Sequence, residues 1–258
     1  MNYFKKMVLD SSSIHFAKHS NSKTLNEIKG IVTNEFTDSK LRSFPKDNEA
    51  YHNHLREVQD ELNKKEYVHK IVKQIFNDLS QYIDDEAFLI QSNLYLRATR
   101  PQNNITEEAI GWHRESFYGP NMENSINVWT PILNVTEFNT LRYIPDSQKI
   151  PDNKIKLKSQ VSELTKKGSD RNKVGLLYAP KEIVSGVDLQ RNEPMLVPEG
   201  CSSVFSGNLI HGAATNYDEK IRFSVDFRII AKKNYKIEAA KTFHAASGKP
   251  YFVEFNKC

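Results

Sequence analysis

Residues 221–230 read Ile-Arg-Phe-Ser-Val-Asp-Phe-Arg-Ile-Ile, and polar and apolar side chains alternate through most of the run. Side chains two apart on a β-strand point to the same face, so the pattern predicts a strand with one polar and one apolar face. The polar face would carry Arg222, Ser224, Asp226 and Arg228, and the apolar face would carry Phe223, Val225, Phe227 and Ile229. An isolated strand of this kind ordinarily turns its polar face to water.

Two upstream segments repeat the alternation and favour a different interpretation. Asn93, Tyr95, Arg97 and Thr99 alternate with Leu94, Leu96 and Ala98, and Asn127 and Trp129 alternate with Ile126, Val128 and Thr130. Several strands of this composition predict a curved sheet. Its outer face would pack on helices, and its inner face would line a polar pocket.

Two short motifs contain metal-binding side chains. His113 and Glu115 lie in Gly-Trp-His-Arg-Glu-Ser-Phe-Tyr-Gly (111–119), and His211 lies in Gly-Asn-Leu-Ile-His-Gly-Ala-Ala (207–214). On a strand, His113 and Glu115 would share one face and could bind one metal, and His211 would come from a separate strand. Two histidines and one carboxylate are the ligand set of non-haem Fe(II) oxygenases, in which open positions remain for a chelating 2-oxo acid and dioxygen. The small residues around His211 would allow a close approach of backbone and ligand.

Three blocks in this order resemble the Fe(II)/2-oxoglutarate-dependent dioxygenases, most closely the phytanoyl-CoA dioxygenase-like branch. The first is Gly-Trp-His-Arg-Glu (111–115). The second is Ile-Asn-Val-Trp-Thr-Pro-Ile (126–132), followed by Asn-Thr-Leu-Arg-Tyr-Ile-Pro-Asp-Ser (139–147). The third is His211 with Arg222, eleven positions later, and Ser224. The resemblance extends over roughly residues 93–231, a little over half of the chain.

The resemblance implies a mainly β fold with flanking helices and a double-stranded β-helix core of the jelly-roll type. It implies that His113, Glu115 and His211 bind Fe(II), which works with 2-oxoglutarate as cosubstrate and O2. Arg222 would pair with the distal carboxylate of 2-oxoglutarate, because a guanidinium binds a carboxylate in a bidentate manner. Further candidates for cosubstrate contact are Ser224, Asn127 and Trp129, although Trp129 is equally suited to fill the core. Candidates for substrate contact are Tyr95, Arg97, Arg114, Tyr118 and Arg228.

Glu115 departs from the commoner pattern, in which relatives carry Asp at this position. Glu keeps the charge and adds one methylene, so it can still bind the metal if its backbone lies slightly further back. Halogenating relatives carry Ala or Gly here, so Glu115 favours hydroxylation over halogenation. Arg222 also separates this chain from histone-demethylase-like members, which commonly use Lys at that place.

The expected reaction is hydroxylation of an unactivated C–H in a small polar metabolite, such as an amino acid, a sugar derivative or a natural-product intermediate. The pocket arginines would also suit an anionic substrate. Two other classes stay open: a cupin-type protein that binds or isomerises sugars, and an oxygenase that acts on a macromolecule.

Composition predicts one domain over residues 1–258, with a barrel core at about 86–231 and a Lys-rich insertion at about 152–173. Apolar residues from Leu55 to Ile83 recur at three-four spacing, which predicts helical support at about 45–85. The net charge of +4 is modest, and the insertion also contains acidic residues, so a solvated loop is favoured over a nucleic-acid surface. No apolar run reaches the length of a membrane span, and two cysteines do not suggest a disulfide framework. We expect a cytoplasmic protein. Its apolar tail, around residues 251–255, would pack back on the fold or contact a second copy in a homodimer.

Overall fold

The computed structural model describes residues 13–37, 48–80, 87–101, 111–119, 121–158, 182–213, 215–237 and 250–256. Within these ranges the protein consists mainly of antiparallel strands with three helices on one side. The predicted fold class, mainly β with flanking helices, is confirmed. The alternating run at 221–230 forms the long central strand of the larger sheet.

The larger sheet has seven strands and contains every alternating segment that the sequence indicated. The strands are β1 (Ile14–Lys18), β2 (Phe88–Gln91), β3 (Tyr95–Thr99), β4 (Ser125–Leu133), β9 (Cys201–Ser206), β11 (Arg222–Ala231) and β12 (Phe252–Glu254). Their order is β1-β9-β4-β11-β2-β12, and β3 pairs with β11 on the same side as β2. All of these pairings are antiparallel. Successive side chains of each strand point to opposite faces of the sheet, so the two faces carry different side chains.

A smaller sheet of three strands supplies the other side of the site. It consists of β10 (His211–Ala213), β5 (Leu141–Tyr143) and β8 (Glu193–Pro194), in that order. An apolar cluster joins the two sheets, since Trp129 of β4 and Phe205 of β9 pack with Leu141 of β5. The strands β6 (Lys156–Leu157) and β7 (Ile183–Ser185) form a separate hairpin-like pair.

Three helices cover the outer face of the larger sheet, as the sequence predicted. They are α1 (Lys23–Glu35), α2 (Asn48–Lys64) and α3 (Tyr67–Leu79). Their buried apolar side chains form one cluster with Phe223, Val225, Phe227 and Ile229 of β11. Burying an apolar side chain of this size contributes roughly 1.5–3 kcal/mol, so this layer accounts for much of the stability of the sheet.

The polar face of β11 is not in water. All ten residues of this strand are buried, including Arg222, Asp226 and Arg228. The ordinary interpretation of an amphipathic strand is therefore wrong here. The polar face lines an interior that is closed by the smaller sheet and by the segment 111–119.

Several boundaries differ from the prediction or lie outside the described residues. The described part of the predicted helical region, residues 48–80, consists of two helices. They are separated at Glu66, whose backbone is left-handed with φ of 54°. Before residue 45 the described residues form β1 and α1. Of the insertion, only 152–158 is described. The tail packs back, since β12 pairs with β2.

Candidate metal and cosubstrate site

His113, Glu115 and His211 converge in the interior. Oε1 of Glu115 lies 3.8 Å from Nε2 of His113 and 3.8 Å from Nε2 of His211. The three ligand atoms lie within 4.8 Å of one another, a span that one metal ion can bridge. All three side chains are buried, so a bound ion would have little contact with bulk water.

The expected strand geometry around His113 is wrong. His113 forms only an isolated antiparallel bridge with His211, in which the His113 amide donates to the His211 carbonyl at 3.0 Å and the His211 amide donates back at 3.1 Å. Glu115 is the first residue of a 3-10 helix that ends at Tyr118. The chain leaves the sheet here because the Ser116 amide donates to the Gly207 carbonyl, which draws the segment into a turn. The ligands are therefore positioned by a bridge and a turn.

Backbone carbonyls fix which nitrogen of each histidine faces the site. Nδ1 of His113 lies 2.8 Å from the Gly111 carbonyl, and Nδ1 of His211 lies 2.9 Å from the Leu209 carbonyl. A carbonyl only accepts, so each Nδ1 carries the proton and donates it. The unprotonated Nε2 atoms then point toward Glu115, which is the tautomer that a metal ligand needs.

The environment keeps the ligands in the states that bind a metal. Burial, reinforced by His113, lowers the pKa of His211 to about 3, so its ring is neutral at physiological pH. Burial would raise the pKa of Glu115, but the Arg228 guanidinium holds it well below its usual range. The carboxylate is therefore ionised and the imidazole is neutral.

Aromatic rings and a glycine fix the ligand loops. The Phe205 ring contacts His211 edge-on with centroids 5.0 Å apart, and the Tyr118 ring lies 5.8 Å from that of His113. A Cβ on Gly207 would lie 2.6 Å from the Met122 carbonyl oxygen, closer than real contacts allow. The glycine before His211 therefore permits the close backbone approach that the sequence suggested.

A second buried centre lies around Arg222. Its Nη1 donates to Oγ of Ser224 at 2.6 Å, and its Nη2 donates to Oγ1 of Thr99 at 2.9 Å. The side chain is 1 % exposed, and among the described residues no carboxylate lies within 4 Å of the guanidinium. Burial, with a contribution from Arg97, lowers the pKa of Arg222 to about 10, which still leaves it charged at neutral pH.

The inner face contains further polar groups without a partner among the residues that the structure describes. They are Nε of Arg222, both amide atoms of Asn127 and the indole N–H of Trp129. Asn127 lies opposite Arg228 and Trp129 opposite Asp226 in the pairing of β4 with β11, so these groups share one face with Arg222. Trp129 also packs in the apolar cluster of Phe205 and Leu141, so it contributes to the core as well. Buried polar groups left unpaired in this way are costly, and a polar anionic ligand would satisfy them.

Two of the predicted substrate residues form ion pairs within the chain. Nε of Arg97 lies 2.6 Å from Oδ1 of Asp226, and Nη1 of Arg228 lies 2.6 Å from Oδ2 of the same carboxylate. Nη2 of Arg228 also lies 2.5 Å from Oε1 of Glu115. Both arginines are therefore already neutralised beside the metal ligands.

The remaining substrate candidates separate into two groups. Arg114 is 1 % exposed; it pairs with Asp152 at 2.6 Å and donates to the Ser147 carbonyl, so it fastens the ligand segment to the loop after β5. Tyr95 lies beside Arg97, with the guanidinium carbon 5.3 Å from its ring centre, and Tyr118 lies beside His113. Tyr118 and Arg228 thus contact the metal ligands, Tyr95 and Arg97 lie beside Arg228 and Asp226, and Arg114 makes a scaffold contact.

Four residues of the site had not been identified from the sequence. Thr99 and Asp226 are on the inner faces that alternation predicted, but only the strand register shows that they contact Arg222 and Arg228. Phe205 contacts His211, and Tyr251 of the tail forms a hydrogen bond with Tyr95. Neither of these two lies in a motif that would have indicated the site.

Comparisons with known proteins agree with this geometry. The family model described as phytanoyl-CoA dioxygenase (PhyH) matches residues 18–224. No protein with a curated description matches the sequence significantly.

Solved structures align with this chain at low sequence identity. The non-heme monooxygenase ThoJ, in its apo form, aligns with a TM-score of 0.52 and 15 % identity over 85 % of this chain and 74 % of its own. AviO1 from Streptomyces viridochromogenes Tue57 aligns with a TM-score of 0.50 and 13 % identity over 86 % of this chain and 90 % of its own. The epimerase SnoN, solved with Fe3+, alpha ketoglutarate and nogalamycin RO, aligns with a TM-score of 0.49 and 10 % identity over 98 % of both chains.

The family match spans most of the chain and includes the helical layer, both ligand motifs and Arg222. The predicted resemblance is confirmed, and so is the expected cofactor set of iron and 2-oxoglutarate at the level of the family and of the converging triad. This chain belongs to the phytanoyl-CoA dioxygenase family.

Proposed function

We propose that the protein is an Fe(II)- and 2-oxoglutarate-dependent oxygenase that hydroxylates an unactivated C–H of a small polar metabolite. His113, Glu115 and His211 would hold the iron. Arg222 would bind the distal carboxylate of 2-oxoglutarate, assisted by Ser224 and Thr99. Iron with 2-oxoglutarate supplies oxidative decarboxylation: one atom of O2 enters succinate, CO2 leaves, and the other atom enters the substrate as a hydroxyl.

One observation carries this proposal. A ligand triad and a buried guanidinium without a carboxylate partner among the described residues lie on the same inner surface. A metal-binding protein without a cosubstrate would have no need for that guanidinium, because burying a charge without a counter-ion is costly. A molecule with a chelating 2-oxo acid at one end and a carboxylate at the other would satisfy both centres.

The residues of the chain perform the binding, orientation and proton placement. The carbonyls of Gly111 and Leu209 hold the two imidazoles with Nε2 free to bind the metal. The amide of Asn127 and the indole N–H of Trp129 are donors that could hold the cosubstrate or substrate. The apolar cluster around Trp129 and Phe205 excludes water from this side.

The ion pairs of the arginines narrow the class of substrate that the site would accept. Arg97 and Arg228 are neutralised by Asp226 and Glu115, and Arg114 is paired with Asp152. This weakens the support for an anionic substrate, so we favour a neutral polar one. The carboxylate at position 115 supports hydroxylation over halogenation. We further propose that the enzyme acts in the cytoplasm on a free small molecule.

Metal-dependent binding and substrate oxidation test the proposal in two steps. With Mn(II) as a redox-stable probe, 2-oxoglutarate should bind far more tightly than pyruvate, which lacks the distal carboxylate, and only when the metal is present. With Fe(II) and O2, a library of polar metabolites should yield a substrate that gains the mass of one oxygen with one succinate per product. Binding of 2-oxoglutarate without metal would contradict the site, and binding of pyruvate as tightly as 2-oxoglutarate would contradict the role of Arg222. If binding occurs but the product carries no added oxygen, the reaction is not hydroxylation.

A further inference from the structure

Four charged side chains, three of them buried, form a continuous chain from the metal ligands to the wall of the interior. Glu115 binds Arg228 at 2.5 Å, Arg228 binds Asp226 at 2.6 Å, and Asp226 binds Arg97 at 2.6 Å. The side chains are between 4 % and 17 % exposed. Two cations and two anions alternate, so the chain is neutral as a whole.

The strand register builds this network. Asp226 and Arg228 are two apart on the inner face of β11, and Arg97 lies on β3 opposite Ser224, one inner-face step from Asp226. Asp226 therefore receives a guanidinium from each side. Arg97 binds it in a bidentate manner, with Nε at 2.6 Å and Nη2 at 3.2 Å. Asp226 in turn holds one arm of Arg228 while the other arm reaches Glu115.

Arg228 contacts the oxygen of Glu115 that faces the two histidine ligand atoms. The atom bound by Nη2 of Arg228 is Oε1, which is also the atom 3.8 Å from each histidine Nε2. Glutamate has one more rotatable bond than the aspartate of the commoner pattern, and Glu115 begins a short 3-10 helix instead of lying in a strand. Its carboxylate therefore needs an external restraint to stay directed at the metal.

We infer that Arg228, fixed by Asp226, is a positioning residue that holds the longer carboxylate of Glu115 in the orientation that binds the metal. This inference rests on the proposed function, because it assumes that the triad binds a metal. Arg228 acts through Glu115 and does not need to touch the substrate. Loss of a residue that orients a metal ligand in this way typically weakens metal binding by about 10–100-fold.

One physical effect opposes this role. A guanidinium beside the site repels a divalent cation and competes for Oε1, so its removal could strengthen metal binding. The charge of Arg228 is offset by Asp226 at 2.6 Å, which reduces the repulsion, whereas the restraint on Glu115 has no substitute among the described side chains that contact Glu115. We therefore expect the positioning effect to dominate.

The test measures the dissociation constant of Mn(II), without turnover, in variants of the full chain. Arg228→Met should weaken Mn(II) binding by about 10–100-fold. Arg228→Lys, which keeps the charge but not the fork that spans two carboxylates, should restore part of the loss. Asp226→Asn should weaken binding in the same direction. Glu61→Gln on α2, which removes the partner of the exposed Lys65, is the control and should change the constant by less than about twofold.

The Glu115→Asp background separates positioning from general support of the fold. The shorter Asp side chain withdraws from Arg228, so adding Arg228→Met to this background should weaken Mn(II) binding by less than about threefold. Equal losses in both backgrounds, or tighter Mn(II) binding in Arg228→Met, would overturn the inference. If Arg228→Met does not fold, Arg228→Lys in both backgrounds decides by the same comparison. A wild-type protein that binds no Mn(II) would instead overturn the proposed function.

Discussion

Arg222 shows how a single buried side chain can define a ligand. It is 1 % exposed and donates to two neutral hydroxyls, those of Ser224 and Thr99. Two hydroxyls do not balance a full positive charge, so the site is complementary to an anion that enters from outside the chain. We propose the distal carboxylate of 2-oxoglutarate as this anion.

Replacing Arg222 should separate cosubstrate binding from metal binding. Arg222→Met removes one member of a buried charge pair, a loss that typically costs about 2–5 kcal/mol. The affinity for 2-oxoglutarate, measured by calorimetry with Mn(II) present, should fall at least tenfold, and the affinity for Mn(II) alone should persist. An equal loss of both affinities would show that Arg222 supports the fold and not the cosubstrate.

The identity of the ligands could be predicted from the sequence, but their mutual contacts could not. The residue types at His113, Glu115 and His211 and the step to Arg222 are sufficient to indicate a metal and an oxo acid. The pairing of Arg228 with Glu115 joins residues that are 113 positions apart in the chain, so no local pattern indicates it. For the same reason, Arg97 and Arg228 were indistinguishable in sequence from arginines that bind substrate.

At the level of secondary-structure elements, a polar chain connects the helical layer to the larger sheet. Nδ1 of His19, just after β1, lies 3.0 Å from Oε1 of Gln74 on α3, and its Nε2 lies 2.8 Å from Oγ of Ser202 on β9. The Nε2 of Gln74 already donates to Asn21 and Thr24, so its Oε1 accepts from His19. The Ser202 hydroxyl can donate or accept, and burial, which lowers the pKa of His19, favours the neutral ring in which Nε2 accepts from Ser202.

This connection predicts a loss of stability in acid. Burial lowers the pKa of His19 below its ordinary value of 6.5, although the hydrogen bond to Gln74 opposes the shift. Below 6.5 the unfolded chain takes up a proton that the folded chain resists, so the contribution of His19 is intact above that pH and is lost as the pH falls. The free energy of unfolding, from urea titrations of the metal-free protein, should decline more steeply between pH 7 and 5 in the wild type than in His19→Gln.

A substitution elsewhere on the same helical layer serves as the control. His69→Gln changes a histidine of α3 that contacts Phe255 and not the sheet interior. It should leave the wild-type pH dependence in place. Parallel curves for the wild type and His19→Gln would mean that protonation of His19 does not limit the docking of the helices.

Periodicity predicted the elements where one face is buried by apolar neighbours. The helical spacing from Leu55 to Leu79 and the alternation in β3, β4 and β11 were correct because each of these elements packs an apolar face into the same cluster. The prediction of a strand for segment 111–119 was wrong because this segment has no alternating apolar face. Its path depends on the two hydrogen bonds with His211 and on the contact with Gly207, which are distant in sequence.

The molecule as a whole consists of a helical layer, a seven-stranded sheet and a smaller three-stranded sheet, with charged side chains enclosed between the two sheets. No described helix is long and apolar enough to cross a membrane. An interior that contains Arg222, Asp226, Arg228 and Glu115 lowers stability unless these charges serve a bound group or each other. Asp226, Arg228 and Glu115 pair with one another, so the charge of Arg222, which has no carboxylate partner among the described residues, is the cost that a bound anion would offset.

The most direct test of the account is the visible spectrum of the anaerobic Fe(II) protein with 2-oxoglutarate. Chelation of iron by the 2-oxo acid should give a weak charge-transfer band in the wild type, and His211→Ala should abolish it because one of three ligands is lost. His69→Ala, which removes a histidine of α3, should keep the band. An unchanged band in His211→Ala would contradict the assignment of the metal site and, with it, the proposed function.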